Sequence, residues 1–123
     1  MTNDLYYREE ILEHWQNPQN FGVIDDADLV IEQVNPLCGD EVTFYFKFDR
    51  GKIKGVSFSG SGCAISIASA SILSENIQNK KVSTLSKITG EDVLKLLGGP
   101  VAPARLKCAF LALEAVRKIN GNG

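Results

Sequence analysis

The chain has 123 residues, 44% of them apolar and 23% charged, with a formal net charge of −2. That length and balance suit one domain spanning 1–123 with a real hydrophobic core, and they exclude a disordered chain. The charge gives no electrostatic reason to expect nucleic acid, no apolar run approaches the ~20 residues of a membrane span, and no basic patch followed by an apolar stretch marks a secretory signal.

Leu5 to about Gln16 reads as a helix, with Leu5, Ile11, Leu12 and Trp15 on one side and charges between them. The aromatics Tyr6, Tyr7 and Trp15 are expected in the core or at an interface, and His14, the one histidine, in a structural role. Asn17-Pro18-Gln19-Asn20-Phe21-Gly22 stops this helix. Leu29 to Val34 is a short strand. Val42, Phe44, Phe46 and Phe48 then alternate with Thr43, Tyr45 and Lys47, a period of two that predicts a second strand. Asp49-Arg50-Gly51-Lys52 predicts a hairpin turn into a third strand, Ile53 to Phe58, whose alternation slips near Gly55 and points to a bulge. From Cys63 onward the pattern turns helical: Ala64 to about Ile77, Glu91 to Leu97 behind Thr89, and a last helix opened by Pro103 and running to about Ile119. Lys80-Lys81 reads as a solvated loop. The expected class is α+β: a two-layer sandwich of a three-stranded antiparallel sheet with helices mainly on one face.

Three cysteines carry the chemistry. Cys38 follows Pro36 in the turn between the first two strands, where a tight loop should lift side chains toward solvent, and Asp40 stands two residues on. Asp40 is close enough in sequence to share a metal, and equally able to do no more than stabilise the turn. Cys63 follows Gly60-Ser61-Gly62 and begins a helix, where unpaired backbone N–H groups and the positive end of the dipole favour a thiolate. Cys108 falls on the order of 135° from the centre of the stripe Leu106, Ala109, Phe110, Leu113 and Val116, so it does not read as one more core residue. Arg105 and Lys107 nearby would favour its thiolate, with solvated charge as their plain alternative.

An odd cysteine count does not suit a closed disulfide framework, and unpaired thiols fit a reducing, cytoplasmic setting. Gaps of 25 and 45 residues resemble no C-x-x-C zinc signature. The Gly-rich loop before Cys63 lacks the ending of a phosphate-binding loop. No Ser-His-Asp set and no hydrolytic carboxylate pair is evident. The residues alone support a site of three thiols and one carboxylate for a metal or for sulfur chemistry.

Asn35-Pro36-Leu37-Cys38-Gly39-Asp40, Gly60-Ser61-Gly62-Cys63-Ala64-Ile65-Ser66, and Lys107-Cys108-Ala109 with Leu111, Ala112 and Ala115 resemble the three cysteine motifs of the IscU/SufU/NifU N-terminal family of iron–sulfur cluster assembly scaffolds. Tyr7 through His14 to Asn17-Pro18 and Phe21-Gly22 is similar to that family's first helix and turn. The resemblance implies a transient [2Fe–2S] cluster, iron, or a zinc ion held by Cys38, Asp40, Cys63 and Cys108. It implies a cysteine desulfurase as sulfur donor, apo iron–sulfur proteins as recipients, and a persulfide-accepting cysteine, with Cys108 expected and Cys38 its rival. The IscU branch places a histidine before its third cysteine and a Leu-Pro-Pro-Val-Lys motif upstream. Here Lys107 and the run Gly98-Gly99-Pro100-Val101-Ala102-Pro103 stand instead, which weakens the expectation of a dedicated Hsp70-type chaperone. Lys107 and the run Ala68-Ser69-Ala70-Ser71 look more like the SufU branch, whose insertion between the second and third cysteines has no counterpart here. The expected function is a non-catalytic scaffold. The alternative is an enzyme, a SufU-like zinc-dependent sulfurtransferase. A purely structural zinc module ranks third, because a chain this apolar needs no metal staple.

Overall fold

The computed structural model describes residues 9–37 and 39–121, so the expectations placed on Leu5, Tyr6, Tyr7 and Cys38 lie outside the described residues. Three strands, β1 (Leu29–Asn35), β2 (Asp40–Asp49) and β3 (Lys52–Ser61), form an antiparallel sheet in the order β1-β2-β3. Among the described residues four α-helices accompany it: α1 (Glu9–Gln16), α2 (Ala64–Ile77), α3 (Gly90–Leu96) and α4 (Leu106–Arg117). The architecture is the α+β class expected from three consecutive strands followed mainly by helices.

The sheet is two-sided in the manner its sequence dictates. Val42, Phe44 and Phe46 of β2 and Ile53, Val56 and Phe58 of β3 are buried on the helical side, while Thr43, Tyr45 and Lys47 face outward half-buried. Phe44 stacks on both Phe46 and Phe58, at ring distances of 5.8 and 5.9 Å. Each such ring contributes roughly 1.5–3 kcal/mol by leaving water, so this aromatic triad anchors the sheet against the helices. Arg50 and Gly51 both take positive φ, 54° and 79°, giving the mirror-image two-residue turn that matches strand twist. The register slips between Lys47 and Phe48, so Lys47 pairs with Gly55 and Phe48 with Ile53, which places the expected bulge at Lys54. Residues 20–22 line the outer edge of β3 through Gly22 N–H to Phe58 O and Phe58 N–H to Asn20 O, covering an edge that would otherwise be exposed.

Helix α2 is buried on nearly every side, with Ile65 through Ser71 all buried. It lies against α1, α4 and β3, which explains why its apolar residues show no single stripe. Trp15, expected in the core or at an interface, is 46% exposed and so lies outside the core, while Ile11 is the buried residue of α1. One expectation is corrected here. The last helix begins at Leu106; Pro103–Arg105 form a separate 3₁₀ turn ahead of it.

Candidate metal centre

The site lies at the end of the sheet where β1 turns into β2 and β3 runs into α2. Asn35 closes β1, and its Oδ1 accepts the Leu37 N–H at 3.1 Å while its carbonyl accepts the Gly39 N–H at 2.9 Å. This side-chain-supported turn delivers Asp40 as the first residue of β2, paired with Asn35. Asp40 is therefore no solvent-lifted loop carboxylate, as its turn sequence suggested. It is 3% exposed.

A buried carboxylate demands compensation. Asp40 Oδ1 accepts the backbone N–H of Cys63 at 3.2 Å, and Oδ2 accepts the hydroxyl of Ser66 at 2.5 Å. Cys63 is the N-cap of α2 with extended backbone angles, and its own side chain makes no capping bond. A residue of the sheet thus does for α2 what a local Ser or Asp does elsewhere, at the end where the dipole favours negative charge. Gly62 makes this approach possible: a Cβ there would stand 2.8 Å from Asp40 Oδ1 and 2.9 Å from its Cγ.

Cys108 arrives from the other side. The sequence stripe put it away from the core, yet it is 2% exposed. The reason is that α4 packs against both α2 and the sheet, so its buried face widens to include Cys108, Leu111, Ala112 and Ala115. Ser69 of α2 fixes this crossing by donating to the Ala109 carbonyl at 2.6 Å. The result is that one oxygen of Asp40, Cys63 Sγ and Cys108 Sγ all lie within 4.8 Å of one another. Cys63 is half-buried, and both cysteines are thiols, not a disulfide.

With Zn–S distances near ~2.3 Å, ligands of one tetrahedral ion sit roughly 3.5–4 Å apart, so these three atoms are about an ångström from sharing one. Two thiols and a carboxylate are a donor set suited to zinc or to iron in a sulfur cluster. The fit is good. Cys38, the remaining expected ligand, lies outside the described residues. Lys107 is exposed and lines a cleft of about 210 Å³ with Val34, Asn35, Pro36, Leu111 and Glu114, beside the turn that precedes Asp40. Arg105 is half-buried in the 3₁₀ turn ahead of α4.

Sequence reasoning quoted Ser66 within its motif but gave it no role. Its position three residues after the N-cap, where capping boxes place their second polar group, was the available signal. His14 meets the expectation of a structural role. Its Nδ1 lies 2.7 Å from Ser71 Oγ and its Nε2 3.6 Å from Glu75 Oε1, a serine–histidine–acid row that the sequence did not suggest. Ser71 is fully buried and its Oγ also accepts the Gln19 N–H at 2.7 Å, so this row braces α1 against α2 and offers no accessible nucleophile.

The family described as "NifU-like N terminal domain" matches residues 6–120. The chain is 36% identical to the zinc-dependent sulfurtransferase SufU of Bacillus subtilis, over 94% of this chain and 89% of that one. It is 38% identical to the iron–sulfur cluster assembly scaffold protein IscU 1 of Archaeoglobus fulgidus, over 91% and 72%. Among solved structures, a protein from Fervidobacterium islandicum described as an iron–sulfur cluster assembly scaffold for the SUF system superposes with a TM-score of 0.78 at 32% identity, covering 95% of this chain and 98% of that one. No helix among the described residues is long and apolar enough to cross a membrane.

Proposed function

This chain belongs to the NifU-like N-terminal domain family, and on that premise we propose that it is an assembly scaffold which gathers iron and sulfur into a [2Fe–2S] cluster and hands it on. The convergence of buried Asp40 and Cys108 with half-buried Cys63 carries the reading. Cys38, two residues before Asp40, supplies the fourth donor. Soft thiolates hold iron strongly, while the harder carboxylate makes one corner of the site easier to exchange. The cluster is cargo, and a site that must release cargo gains from one weak ligand.

Sulfur enters from a cysteine desulfurase as persulfide. Cys108, the acceptor expected from the resemblance, is 2% exposed in the packed face of α4, which disfavours its meeting a desulfurase. We therefore place sulfur acceptance on Cys38, the rival named from the resemblance. Single cysteine-to-serine proteins treated with desulfurase and cysteine are compared by intact mass. Loss of the one-sulfur adduct in Cys38→Ser alone supports this assignment, and loss in Cys108→Ser alone overturns it.

Anaerobic reconstitution with iron and sulfide tests the scaffold itself. A visible-absorbing, labile chromophore is expected, and a colourless protein overturns the reading. The second reading is a zinc-dependent sulfurtransferase, favoured by the similarity to a relative of that name and by Lys107 before Cys108. Tight stoichiometric zinc in gently purified protein, with strong stimulation of a desulfurase, decides for it.

A further inference from the structure

We propose that Ser66 is a positioning residue for Asp40, holding one carboxylate oxygen so that the other is offered to the bound metal. This rests on the reading of Asp40, Cys63 and Cys108 as ligands. Ser66 lies in the first turn of α2, is 1% exposed, and reaches two of the three donors: 2.5 Å to Asp40 Oδ2 and 3.7 Å to Cys63 Sγ. Its hydroxyl has a single proton, and the shorter contact assigns it to Asp40.

The consequence falls on the carboxylate. A hydroxyl bond this short is at the strong end of its kind, and it commits Oδ2 to Ser66. Oδ1 is held by the longer 3.2 Å bond from the Cys63 N–H. Oδ1 is then the oxygen offered, and Asp40 binds through one oxygen rather than two. Gly62 supports the same orientation, since its missing Cβ leaves space beside Oδ1. Ser66 thereby keeps the hard ligand oriented and single-toothed, which is what an exchangeable corner requires. Partners of this sort, standing behind a ligand, commonly change metal affinity by about 10- to 100-fold when removed.

Zinc affinity is measured on the whole protein by competition with a chromophoric chelator, and the geometry is read from the visible absorption of bound cobalt. Ser66→Ala and Ser66→Gly both remove the donor, so a folding failure in one leaves the other. Zinc affinity is expected to fall about 10- to 100-fold with altered cobalt bands, and Ser66→Thr to restore both. In an Asp40→Asn background, removal of the Ser66 hydroxyl is expected to add little. Wild-type affinity and an unchanged cobalt spectrum in the Ser66 variants, even with lowered thermal stability, overturn the proposal and leave the ligand set standing. An equal loss in the Asp40→Asn background also overturns it, because Ser66 would not then act through Asp40. A wild-type protein that binds neither zinc nor cobalt overturns the ligand set, and this inference with it.

Discussion

Ser69 Oγ on α2 donates a 2.6 Å hydrogen bond to the carbonyl of Ala109 on α4, the residue directly after Cys108. This one buried bond ties together the two helices that carry Cys63 and Cys108. Removing it with Ser69→Ala is expected to cost about 1 kcal/mol, the usual net value of an internal hydrogen bond. Urea unfolding of the metal-free protein measures this, and unchanged stability would show that packing alone sets the crossing.

Asp40→Ala leaves the Cys63 N–H and the Ser66 hydroxyl without their acceptor in a buried setting. The expected loss is about 1–3 kcal/mol. For the proposed scaffold a second effect follows, because the exchangeable ligand is gone: cluster transfer to an apo-ferredoxin should slow more than assembly does. Transfer as fast as wild type would count against the exchange argument.

Gly60 and Gly62 flank Ser61 but answer to different constraints. A Cβ on Gly60 would lie 2.2 Å from the Glu41 carbonyl oxygen, at φ +152°, so Gly60→Ala must move β2 or β3 and should cost about 3 kcal/mol or more. A Cβ on Gly62 meets the Asp40 side chain instead, so Gly62→Ala should leave the sheet in place and weaken zinc binding. Thermal unfolding and zinc competition on both variants separate the two. Comparable unfolding losses without a zinc effect in Gly62→Ala would refute the distinction.

The capping box of α3 predicts an acid dependence remote from the site. Asp92 Oδ2 accepts the Thr89 N–H at 2.9 Å, while Thr89 Oγ1 accepts the Asp92 N–H at 3.2 Å. The Thr89 backbone bond, then the Thr89 side chain, lowers the Asp92 carboxyl below its ordinary value of 3.8, with Lys95 adding to the shift. A folded-state pKa below the unfolded one means stability that is present above the unfolded value and lost as pH falls through the folded one. Asp92→Asn should therefore lose stability at neutral pH and lose less than wild type on acidification below about pH 4. Urea midpoints across that range test it, and parallel curves for the two proteins would exclude a role for this carboxyl.

The sequence by itself determined the elements and the order of the donors. The period-two run of β2 with its phenylalanines, the helix beginning after Cys63 and the bulge beside Gly55 were all legible, because alternation and turn residues are local properties of a chain. It also named Asp40, Cys63 and Cys108 as candidates. Only the tertiary structure decided that these three meet, since their separations along the chain carry no distance information. It alone decided the burial of Asp40 and Cys108: a helical wheel shows a face only when one neighbour packs against it, and α4 has both α2 and the sheet. The same limit hid Ser66 and Ser71, whose hydroxyls are ordinary helix residues by sequence and acquire partners on β2 and α1 only after the chain has folded back 26 and 57 residues.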